Sequence, residues 1–249
     1  MIILKSPREI ERMRVSCRMV AEILTLLKEH VVPGISTLDL EAIACRETVK
    51  RGAKAAFKGY CKYPNALCCS PNEQVVHGIP TREPLRNGDI LSLDFGILYD
   101  DYYGDAAITL PVGTADVKSI SLLTATEQSL YAGIDQARVN NRLSDISHAV
   151  QQFVEMRGYS VVRDFVGHGI GRGLHEDPQV PNFGKPGQGV KLKPGMVLAI
   201  EPMINEKTHE VKVLNDGWTV VTLDGGLSAH FEHTVAITEK GPDILTRLS

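Results

Sequence analysis

Apolar and polar residues alternate along segment 90–99, which predicts a β-strand with one face in the core. The two sets are Leu91, Leu93, Phe95 and Ile97 on odd positions, and Ser92, Asp94 and Gly96 on even positions. This period of two is typical of a strand. If residues 100–101 form a hairpin turn, Asp105 lies opposite Gly96 and diagonally beside Asp94 on the same face. Two carboxylates in one small site require a metal ion or a shared proton, because like charges at short range raise one pKa strongly.

The spacing from glycine to acid in this strand recurs in the second half of the chain. Segment 195–201, G-M-V-L-A-I-E, repeats the pattern of segment 88–94, G-D-I-L-S-L-D, 107 residues further along. Glu201 therefore corresponds to Asp94. Coincidence among common patterns is the alternative, and the matched offset favours a repeat.

A second acid follows the first in each half. Glu232 opens a run, F-E-H-T-V-A-I-T, that resembles the run around Asp105. The two acids are 31 residues apart in the second half and 11 apart in the first. The turn signal N-D-G at 215–217, between two β-rich runs, predicts an inserted hairpin that accounts for the longer gap.

Helix signals precede the strands in both halves. Ser6, Pro7 and Glu9 predict an N-cap, a first-turn proline and a capping box for an amphipathic helix that ends at 32–34. A second helix is predicted from a cap at Thr37 to Gly52.

The second half repeats this order. It has a helix through apolar positions 122–134 and another from a cap at Ser144, ended by Gly158, and Ser144 is again 107 residues after Thr37. We therefore expect an α+β fold with an antiparallel sheet flanked by helices. A single catalytic domain, 1–249, would consist of two pseudo-symmetric halves, about 1–113 and 114–249, whose acids line one cleft.

Composition and charge exclude several classes of protein. The chain has 249 residues, 43% of them hydrophobic, and a formal net charge of -3, with no long basic run for binding nucleic acid. No apolar run suits a signal peptide or a membrane span, so we expect a cytoplasmic protein without membrane association. The five cysteines lack paired spacing, which argues against a disulfide framework or a zinc finger.

Two glycine-containing segments carry further candidate groups. Segment 59–81 is predicted to be irregular and bears contact residues, namely Tyr60, Tyr63, Cys68 and His77. On local grounds alone His77, beside a glycine, is as well explained by a turn as by a functional role. Segment 161–178 has alternating glycines that would let the backbone approach whatever occupies the cleft. It lacks the third glycine of the dinucleotide fingerprint, so nucleotide binding is rejected.

The candidate metal ligands are four carboxylates and one imidazole: Asp94, Asp105, His168, Glu201 and Glu232. This set is too anionic for one divalent ion and suits two ions roughly 3.5 to 4 Å apart. Its oxygen donors favour manganese, iron or cobalt over a thiolate-bound zinc. A water shared by two such ions loses a proton near neutral pH and attacks an acyl or phosphoryl centre. The residues alone therefore indicate a dinuclear metal hydrolase of unknown substrate.

Several motifs together resemble the type I methionine aminopeptidases of bacteria, over nearly the whole chain. They are N-E-Q-V-V-H-G-I-P (72–80), the two acids with their spacing (94–105), F-V-G-H-G-I-G-R-G-L-H-E-D-P (165–178), A-I-E-P-M (199–203), N-D-G-W (215–218) and F-E-H-T (231–234). The resemblance implies the pita-bread fold. It also implies removal of the initiator methionine from nascent polypeptides with a small second residue, by attack of a metal-bridging water or hydroxide on the scissile carbonyl.

The resemblance assigns roles to individual residues. Asp94 would bind one metal and His168 the other, together with Glu201, which would also shuttle the proton of the bridging water. Asp105 and Glu232 would bridge both ions.

The remaining roles concern the substrate. His175 would stabilise the oxyanion, and His77 would contact the substrate backbone near the scissile bond. The methionine pocket would be walled by the following residues: Tyr60, Tyr63, Cys68, Leu174 and Trp218.

The resemblance further implies two divalent ions per chain (cobalt, manganese or iron, with zinc or nickel as alternatives), association with the ribosome and a monomer. The absence of a zinc-binding N-terminal extension and of a long helical insertion points to the short type I form. Ala106 and Leu174 depart from the family pattern, in which Thr or Ser and Phe are common. The rival interpretations are a proline-specific relative such as prolidase, and a non-catalytic relative that binds protein or RNA.

Overall fold

The computed structural model describes residues 1–248, and two helices precede strands twice along this part of the chain. The α-helices are α1 (Pro7–His30), α2 (Thr37–Lys50), α3 (Val117–Gln136) and α4 (Leu143–Glu155), and a single-turn 3-10 helix spans Tyr60–Lys62. The strands are β1 (Lys54–Ala55), β2 (Leu67–Pro71), β3 (Gln74–Val76), β4 (Ile90–Tyr99), β5 (Tyr102–Pro111), β6 (Ser160–Val161), β7 (Gly167–Gly169), β8 (Glu176–Val180), β9 (Val197–Ile200), β10 (Met203–Asn205), β11 (Val211–Val213), β12 (Val220–Thr222), β13 (Ser228–His230), β14 (Glu232–Thr238) and β15 (Gly241–Ile244).

A nine-stranded antiparallel sheet forms the centre of the fold. Its strands follow the order β1-β4-β5-β14-β9-β7-β8, with β2 also paired to β4 and β15 to β14. Two smaller sheets, β13-β10-β6 and β11-β12-β3, lie beside it. The predicted α+β class with an antiparallel sheet is confirmed.

The first helix begins as the sequence predicts, and the second is displaced by one residue. The Ser6 hydroxyl accepts a bond from the backbone N–H of Glu9, whose carboxylate accepts one from Ser6 in return. In α2 the cap is Ser36, which forms the same reciprocal pair with Asp39. The expected cap at Thr37 is therefore wrong, because Thr37 is already the first helical residue.

The expected cap of α4 at Ser144 is also wrong. Arg142 occupies the cap position, and its backbone N–H donates to Asp145 at 2.7 Å. The Ser144 hydroxyl instead exchanges two hydrogen bonds with the backbone of Gln188, at 2.6 and 2.8 Å. This partner is distant in sequence, so local spacing could not reveal it.

The hairpin β4–β5 has the predicted register. Tyr99 pairs with Tyr102, and Gly96 pairs with Asp105, while Asp94 pairs with Ala107. The second predicted hairpin is also present, since β11 and β12 pair antiparallel on either side of the N-D-G turn. Both turns hold residues with positive φ, which tight turns require.

The prediction of an irregular segment 59–81 is wrong in part. Residues 67–71 pair with β4 along five positions, and β3 pairs with β12. The sequence L-C-C-S-P of β2 lacks an apolar-polar alternation and includes proline, so its conformation depends on the neighbouring strand. Pairing with β4 places Cys68 directly beside Asp94.

The helices cover one face of the main sheet through two apolar clusters. One cluster joins α1 and α2 to Leu91, Leu93 and Phe95 of β4, and the other joins α3 and α4 to β9 and β14. Cys17 of α1 is fully buried, and Cys45 of α2 is half-buried. Within residues 1–248, no helix has both the length and the apolar character needed to cross a bilayer.

A buried ion pair ties the N-terminal segment to the loop that carries His175. The Lys5 ammonium lies 2.5 Å from the Glu176 carboxylate, and the two side chains are 4% and 9% exposed. Glu176 also accepts a bond from the backbone N–H of Gly173 at 2.9 Å, while Lys5 donates its own N–H to the carbonyl of Gly195. The pair therefore fixes the backbone on both sides of His175.

Replacing Lys5 with methionine tests this attachment. Lys5→Met leaves Glu176 buried without its cation, so we expect a loss of about 3 kcal/mol in the free energy of unfolding, measured by urea denaturation. Lys50→Met is the matched control, because the Lys50–Glu47 pair is 3.8 Å apart and Lys50 is 74% exposed. The control should change stability by less than about 0.5 kcal/mol. Equal effects of the two changes would contradict the assigned role of the buried pair.

Candidate metal centre

Five adjacent strands of the main sheet each position one candidate metal ligand. In the order of the sheet, the candidates are Asp94 of β4, Asp105 of β5, Glu232 at the start of β14, Glu201 directly after β9 and His168 of β7. The five candidates proposed from the sequence are thus brought together on neighbouring strands. They come from chain positions far apart, and the antiparallel pairing places them side by side.

Two threonines hold the central strands in register. The backbone N–H of Asp105 donates to the Thr234 hydroxyl at 3.2 Å, and that hydroxyl donates to the Asp105 carbonyl at 2.7 Å. Thr109 forms the same two bonds with the backbone of His230, at 2.9 and 2.7 Å. Since each hydroxyl serves both backbone groups of one residue, β5 cannot slide past the second half of the chain.

The ligand atoms converge closely. Asp105, His168 and Glu232 each offer an atom within 4.8 Å of the other two, and Nε2 of His168 lies 3.5 Å from Oε1 of Glu201. One oxygen of each of three acids is buried without a hydrogen-bond partner in residues 1–248: Oδ1 of Asp94, Oδ1 of Asp105 and Oε1 of Glu232. Buried acceptors of this kind need a positive partner.

Burial raises the pKa of all four carboxyl groups, and repulsion by neighbouring carboxylates raises it further for Asp94, Asp105 and Glu232. Burial, with a smaller contribution from the Glu201 charge, raises the pKa of Asp94 to about 7. Burial alone raises the pKa of Glu201 to about 8. The pKa values of Asp105 and Glu232 rise well above the ordinary range, through burial first and neighbouring carboxylates second. Four carboxylates here ionise together only with cations, which is the chemistry of a divalent metal site.

His168 is oriented as a neutral ligand. Its Nδ1 lies 2.9 Å from the carbonyl of Gly169, which can only accept, so Nδ1 carries the proton and Nε2 presents a lone pair. Burial, with a smaller contribution from His175, lowers the pKa of His168 to about 3, so it stays neutral. When Glu201 is ionised, Nε2 of His168 and Oε1 of Glu201 are two acceptors that face each other across 3.5 Å. A cation between them resolves this arrangement, so the donor set fits divalent ions.

Close packing within the sheet requires the two glycines that flank His168. A Cβ on Gly167 would lie 2.3 Å from the carbonyl oxygen of Ala199, and one on Gly169 would lie 2.2 Å from that of Asp177. At these two positions, packing within the sheet already requires glycine, and the close approach of the backbone to a ligand stays a prediction. The two glycines allow β7 to fit closely between its neighbours, which sets the position of His168.

His175 lies beside the ligand cluster with one ring nitrogen already engaged. Its ring contacts that of His168 edge-on with centroids 4.3 Å apart, and its Nδ1 lies 3.0 Å from the hydroxyl of Tyr60. Burial lowers the pKa of His175. If the Tyr60 hydroxyl donates to Nδ1, the neutral ring carries its proton on Nε2, the nitrogen left free.

His77 and the aromatic residues form the wall of a cavity above the acids. The Trp218 ring packs edge-on against Tyr63 at 5.1 Å and against His77 at 6.2 Å. Burial, with smaller contributions from other histidines, lowers the pKa of His77 to about 4. Trp218 sits at the N-D-G turn, where its backbone N–H donates to Asp216 at 2.8 Å.

The cavity contains every site residue proposed from the sequence. Its volume is about 170 Å³, and it is lined by Phe57, Tyr60, Cys61, Tyr63, Cys68, His77, Asp94, Asp105, His168, Leu174, His175, Glu201, Trp218 and Glu232. A volume of roughly 150 Å³ accepts one benzene-sized group, so this cavity suits a single side chain. A larger groove of about 560 Å³ opens between α1 and α3, and Glu232 is the one ligand candidate among the residues that line it.

The two residues that depart from the family pattern have different surroundings. Leu174 is 2% exposed and lines the cavity, so its shape affects the pocket directly. Ala106 packs in the apolar cluster of α1 and α2, on the helical face of β5. Only its backbone N–H reaches Asp105, so its side chain has little influence on that carboxylate.

Sequence reasoning missed one residue of this centre, His230. Its side chain is 1% exposed, and its Nε2 lies 3.6 Å from Oε2 of Glu201. The sequence signal that could have revealed it is its place two residues before Glu232, with only Phe231 between them. In an extended chain, residues two apart point to the same face.

The chain resembles known proteins along its whole length. It matches the model of a family described as metallopeptidase family M24 over residues 11–239. It is 54% identical over 246 residues to the methionine aminopeptidase of Clostridium perfringens, and this alignment covers 99% of each chain.

The crystal structure of methionine aminopeptidase from Thermotoga maritima matches with a TM-score of 0.98 and 47% identity, over 100% of both chains. The structure of prolidase from Pyrococcus furiosus matches with a TM-score of 0.79 and 21% identity, over 99% of this chain and 66% of the prolidase chain. At this identity, the similarity supports a shared fold only. The expected pita-bread fold is confirmed.

The carboxylate cluster predicts an unusual pH dependence for the metal-free protein. A carboxyl group with a raised pKa binds a proton in the folded state that the unfolded chain releases, so stability falls as pH rises through the folded pKa. For Asp94 and Glu201 those values are about 7 and about 8. The lowered pKa values of the buried histidines, His77 and His168 among them, oppose this trend, but their effect fades above their ordinary value of 6.5, so the carboxylates dominate from about pH 7 to 8.

In EDTA, we therefore expect the free energy of unfolding to fall by on the order of 1 kcal/mol per pH unit across this interval. Urea denaturation at several pH values measures it. Asp94→Asn removes one of the charges and should flatten the slope, and saturating manganese should abolish it. A stability that is constant or rises with pH in EDTA would contradict the assignment of these acids to one cluster.

Proposed function

Because the chain belongs to metallopeptidase family M24, we propose that it removes the initiator methionine from new polypeptides whose second residue is small. It is a metal-dependent aminopeptidase. The observation that carries the proposal is the row of five ligands on adjacent strands, at the floor of a cavity that suits one side chain. The 47% identical methionine aminopeptidase of known structure supports the same activity.

The proposed metal centre holds two divalent ions. Asp94 would bind one ion, and His168 with Glu201 would bind the other. Asp105 and Glu232 would bind both, which their central position in the sheet supports. Cobalt, manganese and iron suit this oxygen-rich set best, with zinc or nickel as alternatives. When bound, such ions polarise a carbonyl and lower the pKa of a water molecule.

The chain's own residues would supply proton transfer and charge stabilisation. Glu201 would accept and return a proton, since its carboxyl group lies beside His168 at the floor of the cavity. His175 would donate from Nε2 to the oxygen of the scissile carbonyl, with Tyr60 holding its Nδ1. His77 would contact the substrate backbone near the scissile bond, as its place in the cavity wall allows.

The methionine side chain would occupy the part of the cavity that is walled by aromatic residues, next to the acids. Its wall combines aromatic faces, a thiol and a branched aliphatic residue, namely Tyr60, Tyr63, Cys68, Leu174 and Trp218. Aromatic rings bind a thioether favourably. Tyr63 is fixed by donating to the carbonyls of Leu67 and Gly78, at 3.2 and 3.0 Å, so the pocket is preformed.

We further propose one catalytic domain made of two related halves, about residues 1–113 and 114–249. Gly88 and Gly195 support this, since both have positive φ and each precedes a strand that leads to an acid. If its substrates are nascent chains, the protein would act in the cytoplasm, near the ribosome. We propose that it does so as a monomer and does not recognise nucleic-acid sequence.

Substrate preference tests the proposed function. The metal-loaded protein should release methionine from Met-Ala-Ser and leave Met-Lys peptides uncleaved, because a large second residue does not fit beside the metal centre. Chromatography of the products measures this, with EDTA-treated protein as the control. Equal turnover of Xaa-Pro peptides that lack methionine would transfer the assignment to a proline-specific enzyme.

His175→Ala tests the oxyanion role. We expect kcat to fall by roughly 10²–10³ while KM changes little, because the missing donor acts mainly in the transition state. His148→Ala is the control, since His148 lies on α4 outside the cavity and should leave both constants unchanged. Tyr60→Phe, which frees Nδ1, should give an intermediate loss. A His175→Ala variant with normal kcat would exclude the role.

A further inference from the structure

We propose that His230 is a positioning residue of the metal centre, which donates a hydrogen bond from Nε2 to Oε2 of Glu201. The inference deepens the proposed function and rests on it only for the presence of bound metal. Glu201 lies between two imidazoles, with His168 Nε2 at 3.5 Å from Oε1 and His230 Nε2 at 3.6 Å from Oε2. One oxygen therefore faces a metal ligand and the other faces His230.

The backbone of His230 is fixed on both sides. Its N–H donates to the Thr109 hydroxyl at 2.9 Å, and its carbonyl accepts from the same hydroxyl at 2.7 Å. The hydroxyl of Ser92, 2.8 Å away, contacts Thr109 in turn. His230 also pairs with Met203 in the neighbouring strand β10. The imidazole therefore points at Glu201 from a rigid support.

The side chain of His230 forms no hydrogen bond in the described part of the chain that would explain its burial, and besides Glu201 the carboxyl group of Asp94 lies close enough to act on its charge. Neither ring nitrogen has a hydrogen-bond partner among residues 1–248, and the side chain is 1% exposed. An unsatisfied buried polar group costs roughly 1–3 kcal/mol, so such groups are rare in folded proteins. The separation from Glu201 exceeds a hydrogen bond by only a few tenths of an ångström, which a small rotation of the Glu201 side chain removes.

The donor is available in either charge state of the ring. A neutral imidazole carries one N–H and a protonated one carries two, whereas a carboxylate only accepts. Asn182 holds the other end of Glu201, by donating to its backbone carbonyl at 2.9 Å. With Oε2 engaged by His230, Oε1 keeps its direction toward His168. Partners of this kind orient metal ligands and strengthen metal binding.

Two substitutions separate the hydrogen bond from the volume of the ring. His230→Gln keeps an N–H donor of similar reach, and His230→Leu keeps an apolar group of similar size without a donor. Calorimetric titration of EDTA-treated protein with manganese chloride should show affinity reduced roughly 10- to 100-fold in His230→Leu. His230→Gln should stay within about threefold of the original protein, because its amide replaces the donor. Equal affinity of His230→Leu and the original protein would overturn the proposal.

The visible spectrum of the cobalt-loaded protein distinguishes positioning from direct ligation. If His230 only orients Glu201, His230→Gln leaves the absorption bands in place. Bands that move in His230→Gln show the loss of a nitrogen ligand, and would replace the positioning role with a metal-binding one.

Nitrogen-15 labelling of histidine gives a readout that does not depend on the folding of His230→Leu. In the metal-loaded original protein, the His230 signals, identified by their absence from His230→Gln, should show the proton on Nε2. A proton on Nδ1 alone would overturn the proposal. Failure of the proposed function is recognised separately, since the original protein would then bind no manganese or release no methionine.

Discussion

The constraint on which this structure depends is electrostatic. Four carboxyl groups lie buried within one cavity, and their pKa values are raised because burial and mutual repulsion oppose ionisation. The fold tolerates this only because five adjacent antiparallel strands leave the ligands no alternative position. Thr109 and Thr234 secure the central strands by bonding both backbone groups of a residue across the sheet. The energy of folding thus maintains a cluster of acids whose ionisation calls for cations.

The histidines of the cavity differ in their partners, and the partner decides what each ring can do. His168 donates to a backbone carbonyl, which leaves a lone pair directed at the acids. His175 meets a tyrosine hydroxyl, which leaves its other nitrogen free toward the cavity. His230 faces a carboxylate oxygen from a fixed backbone. One side-chain type therefore suits ligation, charge stabilisation and orientation at three positions only a few ångströms apart.

The fold alone does not decide the substrate. A prolidase with a TM-score of 0.79 to this chain shares the sheet and helices at 21% identity. In the proposed function, substrate choice depends on the wall of the cavity, where Tyr63 and Trp218 pack against each other and Leu174 closes one side. The Lys5–Glu176 pair connects this wall to the N-terminal segment, so elements remote from the acids contribute to the position of His175.

The sequence by itself determined the features that depend on near neighbours. The register of the hairpin that carries Asp94 and Asp105 followed from apolar alternation and a short turn, and the capping box of α1 followed from residue spacing. The motifs indicated the family and therefore the fold, while the division into two halves stays a prediction. Only the tertiary structure decided the strand conformation of 67–71, the close packing that requires glycine at 167, and the place of His230 beside Glu201. These features depend on strands brought together from distant parts of the chain, and no local pattern encodes which partner a strand meets.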